Sequence, residues 1–361
     1  MSFIKKFYAN FEKVTVPLGY IMGICGFVCL FKWGDKWKWI GFIIISLVTI
    51  LIASGLVLVE IIQEKKNANI MPDENIVAKK LKDAMKAWYE DEQYGEVITF
   101  GKALGRALYI SASYETRIEI GEIIKKAAEH LNDDLLLTNI LLDDLGWTKF
   151  LCGRVDATDD IKKGIDLATK NNFYKEISKG YRHLMAIELS VWNHPQKAHD
   201  LLDKAYDSYN CMEEGRTKEI TLSGLLFASS ELAFKEKQYD LAMQKAKESE
   251  NKRRALHELD RHMRYYAQIG KIELFKPNGD IREARNYFLK GIEESESVNR
   301  IDEIVKNAYG YAICSFKLGE RKKAQKRTGE IIKKYGDIPL YSEDALLRDE
   351  YQKLIVEIQN N

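Results

Sequence analysis

Histidines beside an acidic residue form the pattern in this sequence that comes nearest to a metal site. His257-Glu258 is followed by His262, which is similar to the His-Glu-x-x-His pattern of zinc hydrolases. The second histidine comes five residues after the first instead of four, and five helical residues turn through about 140°, so the two rings point to different faces. His194 and His199 have the same spacing. We therefore predict no metal site at either pair.

Other catalytic patterns are missing from the sequence. The chain has no Gly-x-x-x-x-Gly-Lys-Ser/Thr loop, no Gly-x-Gly-x-x-Gly pattern and no Gly-x-Ser-x-Gly elbow. The acidic pairs Asp133-Asp134, Asp143-Asp144 and Asp159-Asp160 are expected to cap helices or to lie on solvated faces. We therefore expect no enzymatic activity and no cofactor.

A group of basic side chains is the feature best suited to binding a ligand. If residues 252–268 form one helix, four basic side chains share a face about 80° wide. They are Arg253, His257, Arg261 and Arg264. Such a stripe is suited to an acidic peptide, a terminal carboxylate or a phosphate group. A solvated face whose charges pair with Glu258 and Asp260 is the alternative.

The overall composition favours helices and gives no sign of nucleic-acid binding. The 361-residue chain has 5 prolines, and its charged residues, 30% of the total, balance to a net charge of +1. Helices tolerate proline poorly and nucleic-acid binding needs an excess of cations, so we expect an all-α protein that does not bind nucleic acid. The 5 cysteines form no Cys-x-x-Cys pair, which is typical of a reducing compartment.

Two uncharged runs near the N-terminus are long enough to cross a membrane. They cover about residues 14–31 and 39–59, and at about 1.5 Å per residue each nearly or fully crosses a hydrocarbon core of about 30 Å. We therefore predict that residues 1–66 form an N-terminal segment and a two-helix transmembrane hairpin. Lysines outside the hairpin outnumber those in its linker, so the positive-inside bias places both termini in the cytoplasm and the protein in the inner (cytoplasmic) membrane.

Small residues in the first run indicate a helix–helix contact. Gly19 and Gly23 form a Gly-x-x-x-Gly step, and Gly26 follows them. Glycines at this spacing let helices approach closely. They either pack the two helices of one hairpin together or mediate self-association between chains, which would give a homo-oligomer.

Aromatic residues recur at a nearly constant interval in the rest of the chain. Steps of about 41–42 residues, a period typical of helical repeats, separate Phe150, Trp192, Phe234, Phe275 and Phe316. A turn-like break follows each aromatic residue, and a small residue then opens the next helix at Gly164, Ala198, Ala242, Ala284 and Ala324. Because a helical hairpin cannot bury its apolar face alone, the period predicts stacked hairpins over residues 67–361, closed by a capping helix at about 342–359.

These hairpins resemble the tetratricopeptide-repeat superfamily. The likeness is strongest at residues 234–242 and 316–324, where an aromatic residue, a turn and an alanine follow in the same order, and residues 88–97 look like another turn of this kind. The period differs, since it is about 41–42 residues rather than about 34. The resemblance implies an α-solenoid whose first helices line a concave groove for a protein or peptide partner.

Two functions are compatible with these features. The first is a membrane-anchored interaction module that binds a protein or peptide partner at the cytoplasmic face of the membrane. The second is a signal-gated membrane effector, as in bacterial defence systems, whose repeats sense a ligand or partner and whose spans oligomerise to disrupt the membrane. Inducible expression separates the two, because only the effector is expected to depolarise cells.

Overall fold

Helices account for the regular secondary structure in the part of the protein that the structure, a computed structural model, describes. That part comprises residues 74–154, 156–256, 263–335 and 345–359. The chain divides into two compact units, Met1–Lys80 and Leu81–Asn361. Nearly all of the helical array lies in the second unit.

The predicted membrane hairpin lies outside the described residues, as do Gly19, Gly23 and Gly26. Among the residues that are described, no helix is both long enough and apolar enough to cross a membrane. The spans at about 14–31 and 39–59, and their orientation, therefore stay predictions.

Fourteen helices follow one another along the described ranges. Twelve are uninterrupted α-helices: α1 Glu74–Glu90, α2 Tyr94–Ile110, α3 Tyr114–His130, α5 Ala157–Lys170, α7 Pro195–Asn210, α8 Arg216–Lys235, α9 Tyr239–Ala255, α10 Met263–Phe275, α11 Ile281–Ser297, α12 Ile301–Lys317, α13 Arg321–Tyr335 and α14 Ala345–Gln359. The other two contain π-helical segments: α4 runs from Asp134–Asn139 through the π-helical Ile140–Trp147 into Thr148–Leu151, and α6 runs from Tyr174–Ile187 into the π-helical Glu188–Trp192.

The helices end at turns of one recurring geometry. In eight turns of the described ranges, a residue with positive φ donates its N–H to the carbonyl three residues earlier, and the next residue donates to the carbonyl five residues earlier. The positive-φ residues are Glu92, Ala112, Asn132, Gly153, Asn172, Lys237, Asn299 and Gly319. This pair of hydrogen bonds satisfies carbonyls that a helix end leaves unpaired. Neighbouring turns are about half a period apart, so two helices account for each repeat of the sequence.

The aromatic period marks the ends of alternate helices. Each of the five predicted aromatic residues is one of the last two residues of α4, α6, α8, α10 or α12. The fourth residue of the helix that follows is a fully buried alanine at Ala198, Ala242, Ala284 and Ala324. The prediction of an all-α fold in which consecutive helices pack in pairs is confirmed.

The array extends one hairpin further towards the N-terminus than the predicted aromatics indicate. Tyr109 is the second-last residue of α2, one period before Phe150, and the positive φ of Ala112 follows it. Helices α2 and α3 pack together as the first of these hairpins. Trp192 departs from the pattern, because at the π-helical end of α6 its side chain is 53% exposed rather than packed between hairpins.

One side of the array is formed by the first helix of each hairpin. We refer to α2, α4, α6, α8, α10 and α12 as the first helices, and to the helix that follows each of them as a second helix. First helices of neighbouring hairpins contact one another: α4 contacts α6, α6 contacts α8, and α10 contacts α12. Within the described ranges, no two second helices come as close to one another. A stack with this difference in spacing curves, with its first helices on the concave side.

The curvature brings distant hairpins into contact. The guanidinium of Arg300, at the start of α12, lies 5.2 Å from the centre of the Tyr109 ring on α2. The guanidinium of Arg117 on α3 lies 4.7 Å from the same ring. Tyr109 therefore contacts one arginine from its own hairpin and one from the far end of the array.

Helix α14 packs on the C-terminal end of the described array. Its buried side chains Leu347, Tyr351 and Leu354 belong to the same apolar cluster as buried residues of α11 and α12. The ring of Tyr351 stacks on that of Tyr309 in α12, with 3.9 Å between the ring centres. Helix α14 begins at Ala345 and covers one side of α12, which is the last of the first helices along the chain.

Candidate functional site

The basic stripe predicted on one helix is divided between two helices. Helix α9 ends at Ala255 and α10 begins at Met263, so residues 252–268 do not form the single helix on which the prediction depended. Turns described elsewhere in the array are about half a period apart. The same interval accounts for the end of α9 at Ala255, whatever the amphipathic pattern of the sequence.

The structure describes two of the four stripe residues. Arg253 lies in the last turn of α9, a second helix. Arg264 lies in α10, a first helix, and its side chain is 30% exposed. His257 and Arg261 lie outside the described residues, so the stripe as a whole stays a prediction.

The π-helical segment of α4 directs two neighbouring carboxylates to different helices. Its turn is wider than that of an α-helix, and the Thr148 hydroxyl donates to the Asp143 carbonyl five residues earlier, at 2.9 Å. Asp144 accepts a hydrogen bond from Arg117 of α3 at 2.8 Å, and Asp143 accepts one from Lys179 of α6 at 2.6 Å. The expectation that this acidic pair caps a helix or lies on a solvated face is wrong, because the pair links three helices.

The other acidic residues divide between capping and burial. Asp133 caps α4 by accepting a hydrogen bond from the Leu136 N–H at 2.9 Å, as predicted. Asp160 is instead buried, and the Lys149 ammonium donates to it at 2.5 Å. Asp160 is the fourth residue of α5 and Arg117 the fourth of α3, the position that alanine fills in the later second helices. The first two hairpins therefore carry a buried charge where the later ones carry a methyl group.

A histidine and a tryptophan adjoin Asp143 where α4 meets α6. His183 Nε2 lies 3.1 Å from Asp143 Oδ1, and the His183 ring stacks on Trp147 with 4.4 Å between the ring centres. Burial lowers the pKa of His183 from its ordinary 6.5, although the Asp143 carboxylate favours the charged form. Burial alone would raise the pKa of Asp143, but the Lys179 ammonium and the His183 hydrogen bond hold it below its usual range. At pH 7 the histidine is therefore neutral and the aspartate ionised.

Two arginines approach α8 from the first helices on either side of it. A Cβ atom on Gly224 would lie 2.6 Å from Arg182 Nη1, so the glycine leaves the space in which the guanidinium from α6 rests against α8. On the other side, the Arg264 guanidinium of α10 lies 5.2 Å from the centre of the Phe227 ring. Gly224 and Phe227 are three residues apart and share one face of α8. The two cations therefore flank that face.

Arg264 also contacts the next first helix. Its Nε lies 3.6 Å from Glu303 Oε1 of α12, and the same oxygen lies 3.2 Å from Lys306 Nζ and 3.8 Å from an Arg300 guanidinium nitrogen. Glu303 is almost completely buried, and its burial raises the pKa of its carboxyl group. Charged contacts therefore continue from α8 through α10 to α12.

These contacts between first helices define a surface that we call the inner wall. It comprises Asp143, Lys179, Arg182, His183, Phe227 and Arg264. Lys179 and His183 are about one-seventh exposed and Asp143 is about one-third exposed, so a ligand can reach them. Three permanent cations face the ionised Asp143, and Glu303, whose pKa is raised by burial, lies beside one of them, Arg264; cations therefore predominate on the wall. Such a surface can hold a polar or acidic segment through charge-assisted hydrogen bonds.

The hairpin period could have revealed half of the inner-wall residues. Intervals of nearly one period separate Asp143, His183, Gly224, Arg264 and Glu303, so all five occupy nearly the same repeat position. Of the inner-wall residues, only Arg264 was among the predicted site residues. The others were missed because the period was applied to aromatic and small residues and not to polar ones.

Histidines and carboxylates in the described ranges form pairs rather than larger groups. His194 lies 2.9 Å from a Glu188 oxygen, and His199 lies 2.8 Å from a Glu236 oxygen. No group of three or more His, Cys, Asp and Glu side chains in the described part of the chain is arranged to hold a metal ion. His262 lies outside the described residues.

Comparison with protein-family models and with curated proteins gives no significant match, so the assignment of a function rests on the geometry described above. The packed helix pairs are compatible with a helical-repeat solenoid. Membership of the tetratricopeptide-repeat superfamily stays a prediction from the sequence.

Proposed function

We propose that this protein is a membrane-anchored interaction module whose tetratricopeptide-like repeats bind a protein or peptide partner at the cytoplasmic face of the membrane. The observation that carries the proposal is the inner wall, where one repeat position of the first helices holds Asp143, His183 and Arg264, and Gly224 of α8 leaves space there for Arg182. A curved stack of helical hairpins presents an extended concave surface of this kind to its partner. Binding there requires side chains held on rigid helices and no catalytic group.

The charge of the inner wall favours an acidic or carboxylate-bearing segment of the partner. Lys179, Arg182 and Arg264 are cations, and the ionised Asp143 offsets one of them. Guanidinium groups bind carboxylates through paired, charge-assisted hydrogen bonds. The ring of Phe227 lies beside Arg264, so an apolar side chain of the partner has a surface to pack on next to the charged contacts.

In this proposal the membrane anchor is the pair of uncharged runs at about 14–31 and 39–59. Each run has the length and composition of a transmembrane helix. Holding the repeats at the membrane raises the effective concentration of a partner that is itself bound there. A modest affinity at the inner wall is then sufficient for association.

Affinity capture of the full-length protein from native membranes in mild detergent tests this function. We expect mass spectrometry to find one protein in near-equal amount with the wild type. The double variant Arg182→Glu and Arg264→Glu should lose it, because both reversed charges lie on the inner wall. The matched control Arg282→Glu with Lys290→Glu changes the same charges on exposed residues of α11 and should retain it. Capture of the same protein by all three would contradict an inner-wall partner.

A signal-gated membrane effector is the alternative, and the Gly-x-x-x-Gly step at Gly19 and Gly23 favours it. In this function the hydrophobic runs of several chains associate through these glycines and disrupt the bilayer. A homo-oligomer without a protein partner, together with depolarisation of cells on induced expression, would replace the first proposal with the second. Depolarisation that persists in a Gly19→Leu and Gly23→Leu variant would argue against a glycine-mediated assembly.

A further inference from the structure

The second helix of the last hairpin carries an unusual excess of positive charge. Helix α13 contains seven basic residues and one acidic residue, Glu330. The basic residues are Arg321, Lys322, Lys323, Lys326, Arg327, Lys333 and Lys334. The preceding second helix, α11, has three basic and four acidic residues, and the whole chain has a net charge of only +1. The excess is therefore a local property of α13.

The cations of α13 lie on its outer side. Ala324 is buried against the rest of the hairpin, and at about 100° per residue Lys322, Lys326 and Lys333 fall within an arc of about 40° well away from it. Lys323, Arg327 and Lys334 fall within a second arc of similar width, with Glu330 between the two arcs. Lys326 is 80% and Lys323 62% exposed. The outer side of α13 is thus a basic strip about 22 Å long.

Ion pairs within the hairpin neutralise only part of this strip. Glu330 lies 3.1 Å from Arg327 and 4.0 Å from Lys326, so one carboxylate serves two cations. Glu320, just before the helix, lies 2.7 Å from Lys323 and 2.9 Å from Arg285 of α11. The two carboxylates in these pairs are fewer than the seven cations of α13, so the helix keeps an excess of positive charge.

The helix dipole favours the cations at one end of α13 and opposes those at the other. Cations in the last turn, such as Lys333, interact favourably with the dipole. Arg321, Lys322 and Lys323 fill the first turn, which contains no acidic residue, and cations there oppose the dipole. Arg321 lies 5.4 Å from the centre of the Phe316 ring and Lys323 pairs with Glu320, so local contacts account for two of these three cations, and an anionic binding partner accounts for the excess along the strip.

We propose that the outer side of α13 docks on the anionic phospholipid headgroups of the membrane that holds the N-terminal hydrophobic runs. This inference rests on the proposed membrane anchor. Lys and Arg residues clustered on an amphipathic helix bind acidic headgroups without further recognition, because the surface potential of the leaflet attracts them. An anchored chain also meets those headgroups at high effective concentration.

A bilayer fits this strip better than a single-stranded nucleic acid does. Surfaces that bind single-stranded nucleic acid place aromatic side chains between their cations for base stacking. The sequence of α13 contains one aromatic residue, Tyr335, at its last position. A straight helix with cations along its outer side matches an extended, uniformly anionic plane.

Lysine labelling of the full-length protein in lipid nanodiscs tests the docking. Nanodiscs of phosphatidylcholine alone are compared with nanodiscs that also contain phosphatidylglycerol, and mass spectrometry follows the acylation rates of Lys322, Lys326 and Lys333. We expect acylation to slow on the order of tenfold in the anionic discs only, because the headgroups pair with the ammonium groups. High salt should restore the rates, since the Debye length falls to about 3 Å at 1 M. The exposed Lys162 and Lys163 of α5 serve as internal controls.

A charge-neutral variant separates docking from other causes of protection. With Lys322→Gln, Lys326→Gln and Lys333→Gln, the remaining Lys323 and Lys334 should lose their protection in anionic discs. The matched control Lys162→Gln, Lys163→Gln and Lys170→Gln removes three exposed lysines from α5 and should leave α13 protected. Equal protection in both lipids, or protection that survives the α13 substitutions, would overturn the proposal.

The outcomes for docking and for the anchor are distinguishable. If the chain stays in anionic discs through a high-salt wash, but the α13 lysines react freely once the discs are returned to low salt, docking is overturned and the anchor stands. If the chain leaves the discs, the anchor fails, and sedimentation with phosphatidylglycerol vesicles then decides the docking. Salt-sensitive binding that the α13 variant loses would uphold it, and no binding would overturn it. Protection of α13 by an added oligonucleotide but not by either lipid would also overturn it.

Discussion

At the scale of single residues, the first two hairpins differ from the later ones by carrying buried charges. Asp160 lies against Lys149 in the second hairpin, where later hairpins have alanine. A buried ion that loses its partner is costly, because it keeps its desolvation penalty without its compensating attraction. These pairs therefore fix the packing of α3, α4 and α5 more strictly than an apolar contact would.

Substitution of Asp160 tests the buried pair. Asp160→Ala should lower the free energy of unfolding by about 3 kcal/mol, because Lys149 keeps only the more exposed Asp156, at 2.9 Å, and Glu122, at 3.9 Å. The neighbouring Asp159→Ala removes the same group from a more exposed position and should cost less than about 1 kcal/mol. Denaturant unfolding monitored by circular dichroism measures both. Equal losses for the two variants would mean that burial of the pair does not matter.

His183 makes the stability of the fold depend on pH. Its pKa in the folded protein is lowered from 6.5, so the unfolded chain binds this proton first as the pH falls. The contribution of His183 is therefore fully present above pH 6.5 and decreases as the pH falls through the range below it. His183→Gln keeps a hydrogen-bond donor for Asp143 and removes the titration. Unfolding free energies between about pH 7.5 and 5 should fall more steeply for the wild type than for the variant; parallel curves would contradict this.

At the scale of helices, the sequence predicted the hairpins better than the interruptions in them. Phe234, Phe275 and Phe316 mark helix ends because an aromatic side chain and a turn recur with each hairpin. The π-helical segment Ile140–Trp147 was not predictable from periodicity, since its wider turn depends on Asp143 and Asp144 finding partners on two other helices. The inner wall was missed for a different reason, because several of its residues do recur with the hairpin period but the period was applied only to aromatic and small residues.

Two glycines, Gly270 of α10 and Gly310 of α12, let these first helices approach α11, the second helix between them, closely. A Cβ atom at Gly310 would overlap the Phe288 ring, and one at Gly270 would lie 3.0 Å from it. Phe288 of α11 is fully buried. The ring therefore fills the space that two glycines on neighbouring first helices leave open.

Gly310→Ala tests this packing. The added methyl group must displace Phe288, so we expect a loss of about 1–3 kcal/mol in the free energy of unfolding. Gly329→Ala is the matched control, because no atom lies within 4 Å of its Cβ position; in that exposed helix alanine should stabilise by about 0.5–1 kcal/mol. Thermal or denaturant unfolding gives both values. The account of the Phe288 packing is wrong if Gly310→Ala is as stable as the wild type.

At the scale of the whole molecule, the array is curved enough for its hairpins to meet end to end. The contact between Arg300 and Tyr109 joins α12 to α2. Arg300 is buried, and although burial alone would lower its pKa, its bonds to Asp302 raise it. A cation–π contact of this kind holds two elements together by about 1 kcal/mol, which is enough to bias the curvature without locking it.

Removal of the Arg300 guanidinium should loosen this contact. In Arg300→Gln we expect faster amide hydrogen exchange in the turn after α2, around Ser111–Ser113, because Tyr109 loses one of its two arginine neighbours. Arg282→Gln, on an exposed site of α11, is the control and should leave that turn unchanged. Unchanged exchange in Arg300→Gln would show that the two ends of the array do not hold each other.

The central claim is that the inner wall holds a partner at the membrane. The most direct measurement is photo-crosslinking in native membranes, with a benzophenone amino acid placed at Phe227 of the inner wall or at the exposed Leu289 of α11 as control. The account predicts a crosslink to one protein from position 227 and none to that protein from position 289. No crosslinked protein from position 227, or the same protein from both positions, would contradict it.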